Sequence, residues 1–281
     1  MAERGGPRIT RRGFLGGLAG AALLAACGDD KERAKSKEAD GAGLRVPKGL
    51  RGPLFTLGTA SGDPRPDRVI LWTRLAPDEG AGGALPNAKV PVRWQVATDE
   101  QMRQVVRTGT AIADPSWAHS VHVDATGLAP GRDYWYRFVV GGHESAVART
   151  RTAPAPGATG SRAEALRFAF ASCQHWESGY FGAYRQMAQE ELDLVVHLGD
   201  YIYEYGPARY PDAQVRRPLP VASEATDLAG YREQWAAYKS DPDLQAAHAI
   251  APWIVAWDDH EVENNYAGKQ SDSGDDPTAF L

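Results

Sequence analysis

Cysteine is nearly absent: 281 residues carry two, Cys27 and Cys173. That excludes a disulfide framework and any Cys-x-x-Cys redox or zinc-ribbon pattern. No basic stripe is present either. The net charge is −5, and the first 26 residues hold Arg4, Arg8, Arg11 and Arg12 against Glu3, so the remainder is more acidic still. Binding to a nucleic-acid backbone through a positive field is therefore not expected. Long apolar runs are missing as well. The most apolar stretch, residues 13–26, is too short to span a bilayer comfortably. No internal repeat is visible. Hydrophobic residues make up 43 % of the chain, which argues against wholesale disorder, and the length allows about two domains.

The N-terminus reads as an address. Thr10, Arg11, Arg12, Gly13, Phe14 and Leu15 form a twin-arginine pattern ahead of a short apolar segment. Leu24, Ala25, Ala26 and Cys27 resemble a bacterial lipobox, in which the cysteine is acylated. The expectation is export by a twin-arginine route to the periplasm or cell exterior, with a lipid anchor at Cys27 as the sole membrane attachment. Residues 1–27 are taken as signal and 28–49, charged and without apolar period, as a flexible tether.

Residues 50–152 are strand-rich. The stretches 69–73, 92–96, 121–124 and 134–140 are β-branched or aromatic. Turn residues punctuate them, including Gly62, Asp63 and Pro64, so a small β-sandwich is expected. Asp63, Asp67 and Arg68 read as turn residues. The run from Leu128 to Tyr134 resembles the tyrosine corner of fibronectin type III domains, which makes Tyr134 structural.

Residues 153–163 (APAPGATGSRA) read as a linker. Residues 164–281 then change character. Residues 166–172 look like a buried strand and 180–192 have apolar residues at helical spacing. Residues 194–198 form a second strand, 228–250 a helix broken near Asp241 and Pro242, and 253–257 a third strand. That alternation implies a parallel α/β core.

Each of the three strands runs into groups able to hold a metal. The first ends in Cys173, Gln174 and His175. A lone thiol after a strand is either buried and inert or a ligand or nucleophile. The second ends in Gly199-Asp200-x-x-Tyr203. The glycine permits a sharp turn, so a carboxylate able to bridge two metals and a phenol suited to a ferric ion can face one pocket. A turn Asp beside a stacked Tyr is the plainer reading. The third ends in Asp258, Asp259, His260 and Glu261. Helix capping accounts for one of these carboxylates but not for the set. Strand ends on one sheet edge converge, and α/β proteins place their chemistry there.

The strings FASCQ, HLGDYIYEYG and WDDHEVENNYAG resemble the alkaline phosphatase D family, a branch of the calcineurin-like metallophosphoesterases. The stretch FTLGTASGDPRPDRVILWTRLAP resembles that family's N-terminal β domain. The resemblance implies a mixed fold: a fibronectin III-like β-sandwich followed by an α/β metallophosphatase domain of four αββα layers. It implies hydrolysis of phosphate mono- or diesters with Fe(3+) and Ca(2+), although zinc or manganese suits related sites. It places Cys173, Tyr203 and Asp200 around iron, with Asp200 bridging to a second metal. Asp259, adjacent to Asp258, falls on the second-metal position. His260 falls on the phosphate-facing one, and Arg232 is a further candidate for phosphoryl contact. The family continues with later His and Asp motifs, whereas residues 264–281 contain no histidine. The chain is thus expected to hold the first half of the αββα core, as a monomer acting on a phosphate ester and with doubtful turnover by itself. The alternatives are a non-catalytic, surface-tethered fragment binding phosphoesters or a partner, and a thiol enzyme built on Cys173.

Overall fold

The structure, a computed structural model, describes residues 45–77, 85–159, 165–210, 217–272 and 274. The twin-arginine segment, Cys27 and most of the tether lie outside them, as do residues 160–163 of the linker. The described residues all fall in one compact unit. No helix among the described residues is long and apolar enough to cross a membrane.

The N-terminal part contains β1 (Thr59–Arg65), β2 (Arg68–Arg74), β3 (Val90–Ala97), β4 (Val105–Ala113), β5 (Ser120–Thr126), β6 (Asp133–Val140), β7 (His143–Glu144) and β8 (Ala148–Arg151). Strands β5, β2 and β1 lie in one antiparallel group; β4, β3, β6 and β7 form a second sheet, with β8 also on β6. Every second residue of β5 and β6 is buried, as expected where one strand face meets a core and the other meets solvent. Val69, Leu71, Val92, Val123, Tyr136 and Phe138 meet in that core. The Tyr134 hydroxyl accepts the Ala129 N–H at 2.8 Å, closing the corner foreseen for it.

The C-terminal part contains β9 (Phe168–Ala171), α1 (Gly182–Met187), β10 (Leu194–His197), α2 (Leu228–Lys239), α3 (Pro242–His248) and β11 (Trp253–Val255). The three strands are parallel, in the order β11-β10-β9. Asp241 breaks the helical run as expected. Its carboxylate accepts from the N–H groups of Asp243 and Leu244, each at 2.9 Å, and Pro242 occupies the first turn. Tyr184, Val195, Tyr238, Leu244 and Trp253 form a second core.

Several expectations need correction. Gly62, Asp63 and Pro64 are not a turn between strands. They lie within β1, whose register shifts between Gly62 and Arg65, and Asp63 adopts φ +46 there. Arg68 begins β2 and pairs with Asp124 at 3.3 Å. Gly62 pairs with Trp253 of β11 in parallel, so one six-stranded sheet, β5-β2-β1-β11-β10-β9, runs through both parts. Strand β9 is not buried: Phe168 is 54 % and Phe170 68 % exposed. The hydrophobic core forms on the face carrying Val195 and Trp253, while the opposite face, with Ile254, lies open. The helix expected over 180–192 shrinks to α1. Tyr180 precedes it and turns outward, with the Arg217 guanidinium 5.4 Å from its ring.

Candidate metal centre

Backbone bonds beyond the strands tie the three loops together. Cys173 and Gln174 donate their N–H groups to the carbonyls of Gly199 and Asp200, each at 3.1 Å, and Ala256 donates to His197 at 2.9 Å. Cys173 (φ +56) and Asp200 (φ +51) both adopt left-handed backbone. That is uncommon for residues with a Cβ and concentrates at functional sites. Gly199 has no substitute. Its φ is +108, and an added Cβ would sit 2.4 Å from Asp258 Cβ. The glycine lets the second loop touch the third.

The donors then gather. One oxygen each from Asp200 and Asp259 and one ring nitrogen of His260 lie within 4.8 Å of one another. Tyr203 donates its hydroxyl to Asp200 Oδ2 at 3.3 Å, and the Cys173 thiol lies within hydrogen-bonding reach of the same carboxylate. Asp200 Oδ1 is buried and lacks a protein partner. A buried carboxylate oxygen left unpaired is unfavourable. A cation would satisfy it, and a set of carboxylates, imidazole, phenol and thiol suits a transition metal.

Electrostatics without a cation run the other way. Burial, then the Asp200 and Cys173 charges, push the Tyr203 phenol well above its usual range. A hydrogen bond with Ser172 favours the Cys173 thiolate, but burial and the Asp200 and Asp258 carboxylates outweigh it, so the thiol is also shifted up. Asp259 is held low, first by the Asn265 N–H, which donates to Oδ2 at 2.5 Å. A bound cation reverses the pressure on phenol and thiol.

Two carboxylates hold this geometry from behind, Glu261, which the sequence offered only as a possible metal donor, and one it did not single out. Glu261 Oε1 accepts from Tyr201 N–H at 2.6 Å. Its Oε2 accepts from Asp200 N–H at 3.1 Å and Asp258 N–H at 2.6 Å. It therefore fastens the Asp200 turn to the Asp258 turn. The spacing Asp258-x-x-Glu261 is a capping box, so Asp258 acts as the cap while Asp259 joins the donor cluster. The second is Glu204, 2 % exposed. Its Oε2 lies 2.8 Å from His260 Nδ1 and its Oε1 accepts from Asn264 N–H at 2.8 Å. A partner at Nδ1 directs Nε2 outward. The Tyr203 ring, 4.2 Å from the imidazole, fixes its plane.

Arg232 is not brought to the cluster. Its guanidinium donates to the Ser116 carbonyl at 2.6 Å, and its own carbonyl accepts from Arg74 at 3.1 Å. It joins α2 to the 3-10 turn Pro115–Trp117 of the N-terminal part.

A β module joined through one continuous sheet to an α/β unit with clustered donors at its strand ends defines the class: an α/β protein with a candidate metal centre. The sequence profile described as PhoD-like phosphatase matches residues 168–280, and that of the PhoD-like phosphatase N-terminal domain matches residues 42–154. Alkaline phosphatase D of Bacillus subtilis (strain 168) is 55 % identical over 227 residues, spanning 81 % of this chain and 38 % of that protein. A solved structure titled "Structure of PhoD" superimposes with a TM-score of 0.78 at 53 % identity, covering 83 % of this chain and 44 % of that one. The chain belongs to the PhoD-like phosphatase family. It spans less than half the length of each of these two relatives.

Proposed function

We propose that this site hydrolyses phosphate monoesters or diesters with metal assistance; the name of the Bacillus relative, alkaline phosphatase D, supports the phosphatase part of that reading. The observation that carries the reading is the meeting of donors from Asp200, Asp259 and His260, together with an Asp200 oxygen that is buried and unpartnered. In this reading Cys173, Asp200 and Tyr203 would hold Fe(3+), and Asp200 and Asp259 would hold the second ion, Ca(2+). When bound, such ions supply Lewis acidity toward phosphoryl oxygens and lower the pKa of a water molecule toward neutrality. The chain's own groups do the rest. His260, its Nδ1 engaged by Glu204, presents Nε2 to a phosphoryl oxygen. Glu261 keeps the Asp200 and Asp258 turns in register, and the Cys173 thiol is a ligand rather than a nucleophile. The test is hydrolysis of p-nitrophenyl phosphate and its bis ester by the purified chain, with metal analysis. Iron in the protein and hydrolysis lost together in Asp200→Asn support the reading. Hydrolysis that survives exhaustive chelation and Asp200→Asn overturns it.

The same reading makes residues 50–152 a fibronectin III-like sandwich, supported by the strand grouping and the Tyr134 corner, and residues 164–281 the first half of an αββα core. Export by the twin-arginine route with a lipid at Cys27 is supported by Arg11, Arg12 and the Leu-Ala-Ala-Cys run. Mass spectrometry of the mature N-terminus tests it: an N-terminus elsewhere than at an acylated Cys27 rules out the anchor.

A further inference from the structure

Metal binding alone does not account for the cavity beside the donors. It measures about 460 Å³, with Cys173 and Tyr203 in its lining and His175, Tyr180, Phe181 and Tyr210 around them. Tyr180 is 70 % exposed, with the Arg217 guanidinium carbon 5.4 Å from the centre of its ring.

This aromatic wall is nevertheless held from behind. Arg217 is buried, and its guanidinium carbon lies 3.4 Å from the centre of the Trp176 ring and 4.4 Å from that of Phe181. It pairs with Asp241 at 2.5 Å and donates from Nε to the Trp176 carbonyl at 3.0 Å. Buried ion pairs are weak sources of stability but good at fixing one arrangement. Here the pair fixes the layer on which Tyr180 sits. His175 meets Tyr203 at 4.8 Å and Tyr210 at 5.2 Å between ring centres, both edge-on, with its Nδ1 2.8 Å from Ser178 Oγ. The His175, Tyr203 and Tyr210 rings thus pack on one another beside the cavity, while Tyr180 stands at its open edge.

A protein cavity of roughly 150 Å³ suffices for a benzene ring, so this one has room for a ring beside a phosphoryl group. We infer that the cavity is a leaving-group subsite selecting phosphate esters with a planar aromatic leaving group, and that Tyr180 is its stacking residue. The inference rests on the hydrolytic reading above and adds a substrate class to it.

The test is calorimetric binding of methyl-, cyclohexyl- and phenylphosphonate to the full, metal-reconstituted chain. Their P–C bonds do not hydrolyse, so leaving-group acidity plays no part. Phenylphosphonate is expected to bind about fivefold tighter than methylphosphonate, the size of an aromatic pair contact, with cyclohexylphosphonate between them. Tyr180→Ala should bring the phenyl-to-methyl ratio toward one, and Tyr180→Trp should keep or raise it. Tyr180 is exposed, so neither change threatens the core. Equal affinity for phenyl and methyl compounds overturns the inference, as does a ratio that Tyr180→Ala leaves intact. If none of the three binds, the hydrolytic reading falls too, and the loss of methylphosphonate marks that failure apart.

Discussion

Glu261 bonds to backbone N–H groups on two loops, and those bonds set the spacing between Asp200 and Asp259. Glu261→Ala leaves those N–H groups without their acceptor. We expect metal affinity to fall about 10- to 100-fold, as for other residues that support ligands from behind, measured by competition with a chelator. Gly199→Ala attacks the same junction sterically, because a methyl group at φ +108 meets Asp258 at 2.4 Å. It should destabilise the chain by about 2–4 kcal/mol in urea unfolding and release metal in parallel. Unchanged stability would mean the two loops part more easily than their packing indicates. Glycine before a carboxylate, and Asp258 three residues before Glu261, were readable as turn and cap chemistry. The pairing of Glu204 with His260 was not, because nothing local links positions 56 residues apart.

β-Branched and aromatic runs between turn residues located β2, β3, β5 and β6, and the Asp241-Pro242 pair located the break between α2 and α3. β1 escaped because Gly62, Asp63 and Pro64 have turn composition. They tolerate a bulged strand that must pass close to another backbone. Only when β11 folds alongside does the reason for glycine emerge: a Cβ at Gly62 would stand 2.8 Å from the Trp253 carbonyl oxygen. Gly62→Val should therefore loosen the sheet where its two parts meet. Hydrogen exchange is expected to quicken in β1 and β11 but not in β3, whose neighbours are β4 and β6. Uniform protection across all three strands would contradict the continuous sheet. The exposed β9 face shows the complementary limit. Leu166, Phe168 and Phe170 carry a buried-strand pattern, but burial depends on what packs above, and the helices here cover the other face.

Stability of the folded unit should depend on pH through three buried bases. Burial lowers Lys239 to about 7 and His197 to about 4. His248 is also shifted down, by burial first and then by Lys239 and His197. For each, the unfolded chain binds the proton more readily than the folded one, so stability rises with pH across the window between the two values. For Lys239 the window runs from about 7 to 10.5, with a slope of about 1.4 kcal/mol per pH unit. For His197 it runs from about 4 to 6.5, so acidification through that range is destabilising. Urea midpoints should climb from pH 7 toward pH 10, and Lys239→Met should flatten that climb while leaving the acid limb. An alkaline limb unaltered by Lys239→Met would place the responsible group elsewhere. Lys239 was hidden in the sequence because a lysine at a helix end normally reaches water. Here its ammonium lies 4.7 Å from the centre of the Trp72 ring.

The chemical vocabulary of this protein was present along the chain: thiol, carboxylate with phenol, and carboxylate with imidazole, each closing an apolar run. Local pattern suffices for that, since hydrophobic runs and turn residues act on their immediate neighbours. Which of two adjacent carboxylates joins the donors, which acids stand behind them and where Arg232 points were decided by contacts across tens to more than a hundred positions. Such contacts exist only once three parallel strands bring their ends to one edge. The aromatic cavity belongs with these, because the buried arginine that shapes it comes from a different segment than the rings it holds.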